Sequence, residues 1–329
     1  MYGSLKAQRE RRVMSSLLSN SKINELNIDL ASIPATTIAS IDDHSGKQAA
    51  IAALIKYSAS QAYCIVNKTV DSLSEKAMKV DQKNEDDMYR LKLITIEDEV
   101  EDRRLLPVYF QAHHVAEART AAEHLMDRLA EGVLGRGNLE LKKNVTIDLF
   151  DSASNSLWRD HVGFIVTDKF QFFQLSMPAV KAAALLKPCT ESQIKVVKGE
   201  DAENNVIDFD GTLSPLNRGD YVTFLMQNCT VLSADRGDGG VTGYLIARGD
   251  NVMGVYAEDV SIAHALLKHY ITEFNPSKVV LCARRGDWQE LVADQSASLR
   301  PIYRRHTRAV PSNVKWNKIF ALNVGINLF

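Results

Sequence analysis

Cysteine is scarce in this chain, and the cysteines are widely separated. Four of them stand among 329 residues, at Cys64, Cys189, Cys229 and Cys282. No two form a CxxC pair, which excludes the spacing of common zinc sites, and the wide scatter argues against a disulfide framework. This pattern suits a reducing compartment, so we expect a cytoplasmic protein without a bound metal.

Long apolar runs and an excess of one charge are also absent. No stretch approaches the ~18 apolar residues that a membrane-spanning helix needs, so we expect no membrane partner. The formal net charge is −2, which provides no overall basic field for nucleic acid. The basic segment Tyr303–Arg308 is better explained as one face or edge of a sheet, and nucleic acid is not an expected partner.

The N-terminal segment Met1–Lys22 is basic and contains several serines. Two interpretations stay open, an organelle transit peptide and a first helix with a solvated basic face. The acidic Glu10 favours the helix. The localisation is therefore predicted as cytoplasmic, with organelle targeting as the alternative.

What the chain has is the composition of an ordinary globular protein, with 45% hydrophobic and 24% charged residues. Its length predicts about two domains, each able to bury a core. Pro178 and Pro188 enclose an alanine-rich stretch that we interpret as a connector. The predicted domains are residues 1–178 and 190–329.

The first half is predicted to begin with a mostly helical or irregular region, residues 1–58, and to continue with alternating strands and helices. Asp71–Asp87 is polar and predicts a loop with at most one short strand. An apolar run predicts a short helix at Ala49–Tyr57, helical spacing of apolar residues predicts a helix at Glu117–Gly132, and Ser152–Asp160 fits a short helix. Alternating or β-branched stretches predict strands at Gln61–Asn67, Tyr89–Ile96, Leu105–Phe110, Val145–Phe150, Val162–Val166 and Phe170–Leu175.

The second half repeats this order of elements, with a hairpin at its centre. The hairpin strands are predicted at Val241–Arg248 and Val252–Ala257, followed by an amphipathic helix at Asp259–Phe274. Further strands are predicted at Ile194–Val197, Val231–Ser233 and Lys278–Ala283, and further helices at Tyr221–Gln227 and Trp288–Ala297. Glu200–Phe209 is predicted as a helix or a turn. A last pair of strands, Ile302–Val310 and Ile319–Val324, is predicted to form a closing hairpin.

The junction between the second hairpin strand and the helix at Asp259 is the most informative local feature. A strand that runs into a helix N-terminus brings backbone N–H groups together at the positive end of the helix dipole. Such a junction is a general binding site for a phosphate or another anion.

This order of elements resembles the Gcn5-related N-acetyltransferase (GNAT) fold. The second half is similar to the C-terminal domain of the tandem YitH/HolE-type acetyltransferases. The resemblance covers about 120 residues and rests on Asp210–Arg218, Gly243-Tyr244, Arg248-Gly249, Gly254, Tyr256–Asp259, Ala263, Leu266-Leu267 and Pro301–Arg308. The first half resembles a diverged GNAT domain more weakly. The resemblance implies an α/β (α+β) protein with two GNAT-like domains, each a mixed, mostly antiparallel sheet flanked by helices.

The resemblance also implies a function, an acyl-CoA-dependent N-acetyltransferase that uses acetyl-CoA and acts on a small-molecule or protein amine. It places the cofactor on Val255, Tyr256, Asp259, Val260, Ser261 and Ile262. It places the substrate near Asp210, Arg218, Arg284 and Arg285. Catalytic residues and protein partners are not assigned.

The alternative function is a catalytically inactive GNAT-fold binding or scaffold protein. Active GNAT enzymes carry glycines before the cofactor helix, and neither Gln111–Ala121 nor Val255–Ala265 contains one. Glu258 and Asp259 suit the helix dipole as first-turn or capping residues, and they also place negative charge where a pyrophosphate would bind. For the substrate residues, the structural alternatives are a loop ion pair at Asp210 and Arg218 and a solvated turn at Arg284-Arg285.

Overall fold

The computed structural model describes residues 32–42, 48–69, 77–82, 88–94, 144–150, 152–160, 163–187, 193–235, 240–322 and 329. The chain divides into two compact units. The first comprises Met1–Val166 with Arg305–Arg308, and the second comprises Thr167–Arg304 with Ala309–Phe329. The predicted strand Leu105–Phe110 and the predicted helix Glu117–Gly132 lie outside the described residues.

The first unit contains a mixed sheet and a helix. In chain order, its described elements are β1 Thr36–Asp42, β2 Gln48–Lys56, β3 Gln61–Thr69, β4 Ala77–Gln82, β5 Met88–Ile94, β6 Asn144–Leu149 and helix α1 Ser152–Asp160. Their order in the sheet is β4-β5-β1-β2-β3-β6. The pairs β1–β5 and β3–β6 are parallel, whereas β1–β2, β2–β3 and β4–β5 are antiparallel.

The prediction of helical or irregular structure before residue 58 is wrong where the structure describes the chain. The segment Ala49–Tyr57, predicted as a helix, forms β2 almost entirely, and β1 precedes it. Ala53, Leu54 and Ile55 are consecutive and at most 1% exposed, because both faces of the strand are covered. A short apolar run has no period that distinguishes a buried strand from a buried helix.

Among its described residues, the second unit contains a mostly antiparallel sheet, five α-helices and a 3-10 turn at Trp316–Lys318. Strand β7, Val166–Thr167, precedes its main strands. The strands that follow are β8 Phe172–Pro178, β9 Gln193–Val196, β10 Thr230–Asp235, β11 Val241–Arg248, β12 Asn251–Ala257, β13 Lys278–Arg284, β14 Ser298–His306 and β15 Ile319–Ala321. The helices are α2 Ala179–Leu185, α3 Glu200–Gly211, α4 Gly219–Asn228, α5 Val260–Phe274 and α6 Gln289–Val292. The predicted α+β class, a mostly antiparallel sheet flanked by helices, is confirmed.

The order of strands in this sheet differs from the predicted closing hairpin. The sequence predicts that the last two strands pair, but β15 pairs with β12 and β14 pairs with β8. Strand β8 lies between β13 and β14 and is antiparallel to both. A strand from early in the unit therefore separates two strands that are consecutive in sequence.

Three other predicted elements differ from the structure. The helix predicted at Trp288–Ala297 is limited to Gln289–Val292, and the strand predicted at Val162–Val166 is reduced to Val166–Thr167. The connector after Pro178 contains helix α2. In the part of the chain that is described, none of the helices has the length and apolarity to cross a membrane.

Helix α5 is the central packing element of the second unit. Asp259 caps its N-terminus, and Asn275 ends it in a left-handed conformation with φ of 46°. The apolar side chains of α5 join the core formed by the sheet strands, among them Leu245 and Val255. The predicted amphipathic helix is confirmed.

Candidate functional site

The strands β12 and β13 diverge almost as soon as they meet. They are parallel, and their pairing is limited to Asn251 and Val280. Beyond this pair each strand has an edge that the other does not reach. The two edges form a groove that begins at Val280 and extends toward the N-terminus of α5.

The groove is filled by β15, a segment of the chain's own C-terminal region. Strand β11 occupies one edge of β12, so the pairing of Val255 with Ala321 and of Tyr256 with Ile319 uses the edge that faces the groove. Strand β8 covers the far edge of β13 along its full length. The bridge between Cys282 and Leu322 therefore also lies on the groove side.

Two further hydrogen bonds anchor β15. The Leu322 N–H donates to the Cys282 carbonyl at 2.7 Å, and the Trp288 indole Nε1 donates to the Phe320 carbonyl at 2.7 Å. Trp288 itself is buried and has positive φ, 56°, at the start of α6. The four residues Ile319–Leu322 are at most 8% exposed. Strand β15 is thus bound on both sides and buried.

The N-terminus of α5 is also occupied, by a carboxylate from the chain. Asp259 Oδ1 accepts hydrogen bonds from the Ser261 N–H at 2.8 Å, from the Ile262 N–H at 3.1 Å and from the Ser261 hydroxyl at 2.6 Å. These N–H groups are the donors that an anion at this helix end would use. The Asp259 side chain therefore takes the place of an external anion.

The residues at the groove do not fit acetyl-CoA in this conformation. The sequence places the cofactor on Val255, Tyr256 and the first turn of α5. The backbone of the two strand residues pairs with β15, and the amides of Ser261 and Ile262 are bonded to Asp259. A pyrophosphate there would also meet the negative charge of Asp259. Val260, which is 53% exposed, lies beside this cap.

Asp210 and Arg218, the first two predicted substrate residues, meet in a buried polar cluster with Tyr244 and Tyr256. Arg218 Nη1 lies 3.3 Å from Asp210 Oδ1, and Arg218 Nη2 donates to the Tyr256 hydroxyl at 3.3 Å. The Tyr244 hydroxyl donates to Asp210. The Phe329 ring covers the guanidinium, with 4.2 Å between Cζ and the ring centroid. This cluster joins α3, β11 and β12 to the residue that precedes α4.

Burial determines the protonation of this cluster. Burial, together with the charge of Asp210, raises the pKa of Tyr244 well above its ordinary value. Burial also raises the pKa of Tyr256, although the charge of Arg218 opposes the shift. For Arg218, burial lowers the pKa, but the charge of Asp210 and the two tyrosines outweigh it and the net shift is upward. Both hydroxyls therefore stay protonated and Arg218 stays charged at neutral pH.

Two glycines make room for this arrangement. A Cβ at Gly254 would lie 2.5–2.9 Å from atoms of the Tyr256 side chain, which folds back along β12. A Cβ at Gly243 would lie 2.8 Å from the Tyr256 carbonyl oxygen and 3.0 Å from Ala257. Both glycines belong to the pattern that carries the resemblance, and close approach of neighbouring atoms is the reason for them.

The other two predicted substrate residues lie elsewhere. Arg284 forms an ion pair with Asp287, with Nε–Oδ2 at 3.1 Å, and its guanidinium packs over Phe170 and Trp316. Arg285 is exposed, and its Nη1 donates to the side chain of Gln171 at 2.8 Å. Arg284 and Arg285 do not join the Asp210–Arg218 cluster.

A row of aromatic residues, which the sequence analysis did not predict, connects the Asp210–Arg218 cluster with Arg284. Trp316 lies 6.3 Å from Phe329 and 5.7 Å from Phe172, between ring centroids. The buried Arg304 packs over both Phe172 and Trp316. Tryptophan occurs only three times in the chain, and its presence at Trp316 is the signal from which the sequence could have indicated this row.

The first unit has its own buried polar row, between the parallel strands β3 and β6. The Tyr63 hydroxyl donates to Asp148 Oδ2 at 2.8 Å, and Asn144 Nδ2 donates to Gln61 Oε1 at 2.8 Å. Both side chains of the first pair are fully buried. The described residues of the chain contain no group of three or more side chains that could hold a metal ion.

Comparisons with known proteins give the fold. A family model described as a domain of unknown function (DUF7596) matches residues 20–166. No curated protein matches the sequence. A candidate acetyltransferase from Pyrococcus horikoshii is similar in structure, with a TM-score of 0.52 and 11% identity, over 85% of this chain and 76% of that chain. A GCN5-related N-acetyltransferase from Sphaerobacter thermophilus has a TM-score of 0.43 and 11% identity, over 80% and 79%.

The similarity to the Pyrococcus protein shows the fold alone at this level of identity. The predicted GNAT-type fold is thereby confirmed. The tandem arrangement, the domain limits and the YitH/HolE comparison stay predictions.

Proposed function

We propose that this chain is a catalytically silent protein of the GNAT fold, whose second unit acts as a binding or scaffold module. The observation that carries the proposal is the position of β15, which pairs with β12 and bridges to β13 in the groove between them. A ligand arm that needs the same backbone groups cannot bind while β15 is there.

Two features of the site support this function. The carboxylate of Asp259 accepts hydrogen bonds from the first-turn amides of α5, so the helix end is already neutralised. The tyrosine hydroxyls of the Asp210–Arg218 cluster are fully buried and keep their protons, so neither serves as a base for an incoming amine. A protein partner in a reducing, cytoplasmic compartment agrees with the scarce cysteines.

The second candidate is an acyl-CoA-dependent N-acetyltransferase, with acetyl-CoA as donor and an amine as acceptor. The early divergence of β12 and β13 favours it, because a groove between two central strands accepts an extended ligand. This function requires that β15 leave the groove and that Asp259 release the amides of Ser261 and Ile262. Fold similarity by itself does not decide between the two functions.

Thermal unfolding with acetyl-CoA and with CoA separates the two candidates. We expect the unfolding temperature of the full chain to stay within about 1 °C in either compound. A ligand at one hundred times its Kd would stabilise the folded state by about 2.7 kcal/mol and raise the unfolding temperature by several degrees.

A clear upward shift would contradict the silent function, and Ser261→Glu would then locate the binding site. This variant adds charge to the first turn of α5, where Ser261 is exposed. Loss of the shift in Ser261→Glu would place the cofactor at α5, as the sequence predicts. A retained shift would place it elsewhere in the chain.

A further inference from the structure

We propose that the groove between β12 and β13 is a receptor for an extended apolar peptide, and that β15 is the segment of this chain that occupies it. The proposal rests on the binding function above, for which it names the class of partner. Such a partner, a protein with an exposed apolar strand, would bind by replacing β15.

The groove contacts β15 mainly through backbone hydrogen bonds. On one side β15 pairs with Val255 and Tyr256, and on the other side the Leu322 N–H donates to the Cys282 carbonyl at 2.7 Å. Backbone hydrogen bonds give affinity to strand addition whatever the peptide sequence, and alternate side chains give it specificity. The groove offers such bonds on both of its walls.

The side chains of β15 define what the groove selects. The pairing of β15 with β12 shifts by one residue between Val255 and Tyr256, and Phe320 and Ala321 both join the buried core of the unit. The Phe320 ring meets Trp288 edge to face at 6.5 Å. Ala321 is completely buried, so a larger residue there would overpack the core. The groove therefore favours an aromatic residue followed by a small one, between two aliphatic residues.

The attachment of β15 favours exchange rather than permanent closure. The strand has three residues, and the segment between the end of β14 and its start contains a single 3-10 turn, Trp316–Lys318, and no strand or α-helix. A segment tethered in this way competes at an effective concentration in the millimolar range, which keeps free peptides out. A partner that makes the same contacts can replace it once its attachment is weakened.

A peptide-binding experiment on the full chain tests this proposal. The probe is a fluorescein-labelled synthetic peptide with the sequence of residues 315–322, KWNKIFAL. Leu322→Pro removes the N–H that donates to Cys282, and Phe320→Ala removes the ring that packs against Trp288, so each change weakens β15 and leaves the walls of the groove unchanged. We expect each variant to bind the peptide at least about tenfold more tightly than the unmodified chain, by fluorescence anisotropy.

Two matched controls accompany the variants. Leu322→Ala keeps the backbone N–H and should bind the peptide less tightly than Leu322→Pro. A peptide in which the phenylalanine and alanine are exchanged, KWNKIAFL, should not bind either variant. Circular dichroism confirms that each variant is folded, and Phe320→Ala decides the outcome where Leu322→Pro is unfolded.

The outcomes also separate this proposal from the proposed function. Failure of both folded variants to gain peptide affinity overturns the peptide receptor. If acetyl-CoA also fails to raise their unfolding temperatures, the silent function stands without it. Stabilisation by acetyl-CoA in the absence of peptide binding would overturn both, because the groove would then be a cofactor site that β15 closes.

Discussion

Replacement of Arg218 by methionine is expected to lower the free energy of unfolding of the second unit by about 3–5 kcal/mol. The side chain of Arg218 is fully buried and pairs with Asp210, which is 3% exposed. Removal of the guanidinium leaves the Asp210 carboxylate buried without its countercharge. Urea denaturation followed by tryptophan fluorescence measures the loss, because Trp288 and Trp316 both lie in this unit.

A double variant provides the control for this prediction. Arg218→Met combined with Asp210→Leu removes both charges, and most of the lost stability should return because no unpaired ion stays buried. A loss below about 1 kcal/mol for Arg218→Met alone would contradict the buried cluster, since that is the value of an exposed ion pair.

Replacement of Leu266 by alanine is expected to cost about 2–5 kcal/mol of stability. Leu266 is fully buried on the face of α5 that packs on the sheet, in the same cluster as Leu245 and Val255. The substitution removes buried apolar surface and leaves a cavity that the surrounding core fills only in part. The same urea experiment measures this loss.

His269 supplies the matched control on the same helix. It is partly exposed, away from the buried face of α5, so His269→Ala should change the free energy of unfolding by less than about 0.5 kcal/mol. If His269→Ala were the more damaging variant, the phase of α5 would be wrong, and with it the position of the Asp259 cap beside the groove.

The sequence alone was sufficient for elements with a strong local signal. Helix α5 has an amphipathic pattern and follows an aspartate that can cap it, and the sequence predicts both features. The hairpin of β11 and β12 was recognised because its strands are adjacent in sequence and joined by a short turn. For the site, resemblance to a family singled out Asp210 and Arg218, which the structure brings together.

Long-range pairing was the part that the sequence did not determine. Strand β15 has three residues and pairs with a strand more than sixty residues earlier, so no local pattern identifies its partner. The place of β8 between β13 and β14 likewise contradicts the usual rule that consecutive strands are neighbours. The occupied groove, on which the functional interpretation depends, follows from the first of these pairings.

The role of Asp259 shows how one residue can support two predictions. As the residue before a helix, Asp259 is predicted both as a cofactor-binding residue and as a cap. Its carboxylate accepts bonds from Ser261 and Ile262, so it acts as a cap in the structure. Sequence could not decide this, because a cap and a ligand site use the same amides.

Disulfide trapping of β15 in the groove tests the central claim most directly. In Leu322→Cys the new thiol faces Cys282 across an antiparallel bridge, where Cα atoms are about 4.5–5.5 Å apart, within reach of a disulfide. Leu299→Cys is the control, because β8 separates β14 from β13 and two strand spacings are about 10 Å. We predict that mild oxidation links residue 322, but not residue 299, to Cys282 within one chain, as peptide mass spectrometry would detect. Free thiols at both 282 and 322 after oxidation of the folded chain would contradict the claim that β15 fills the groove.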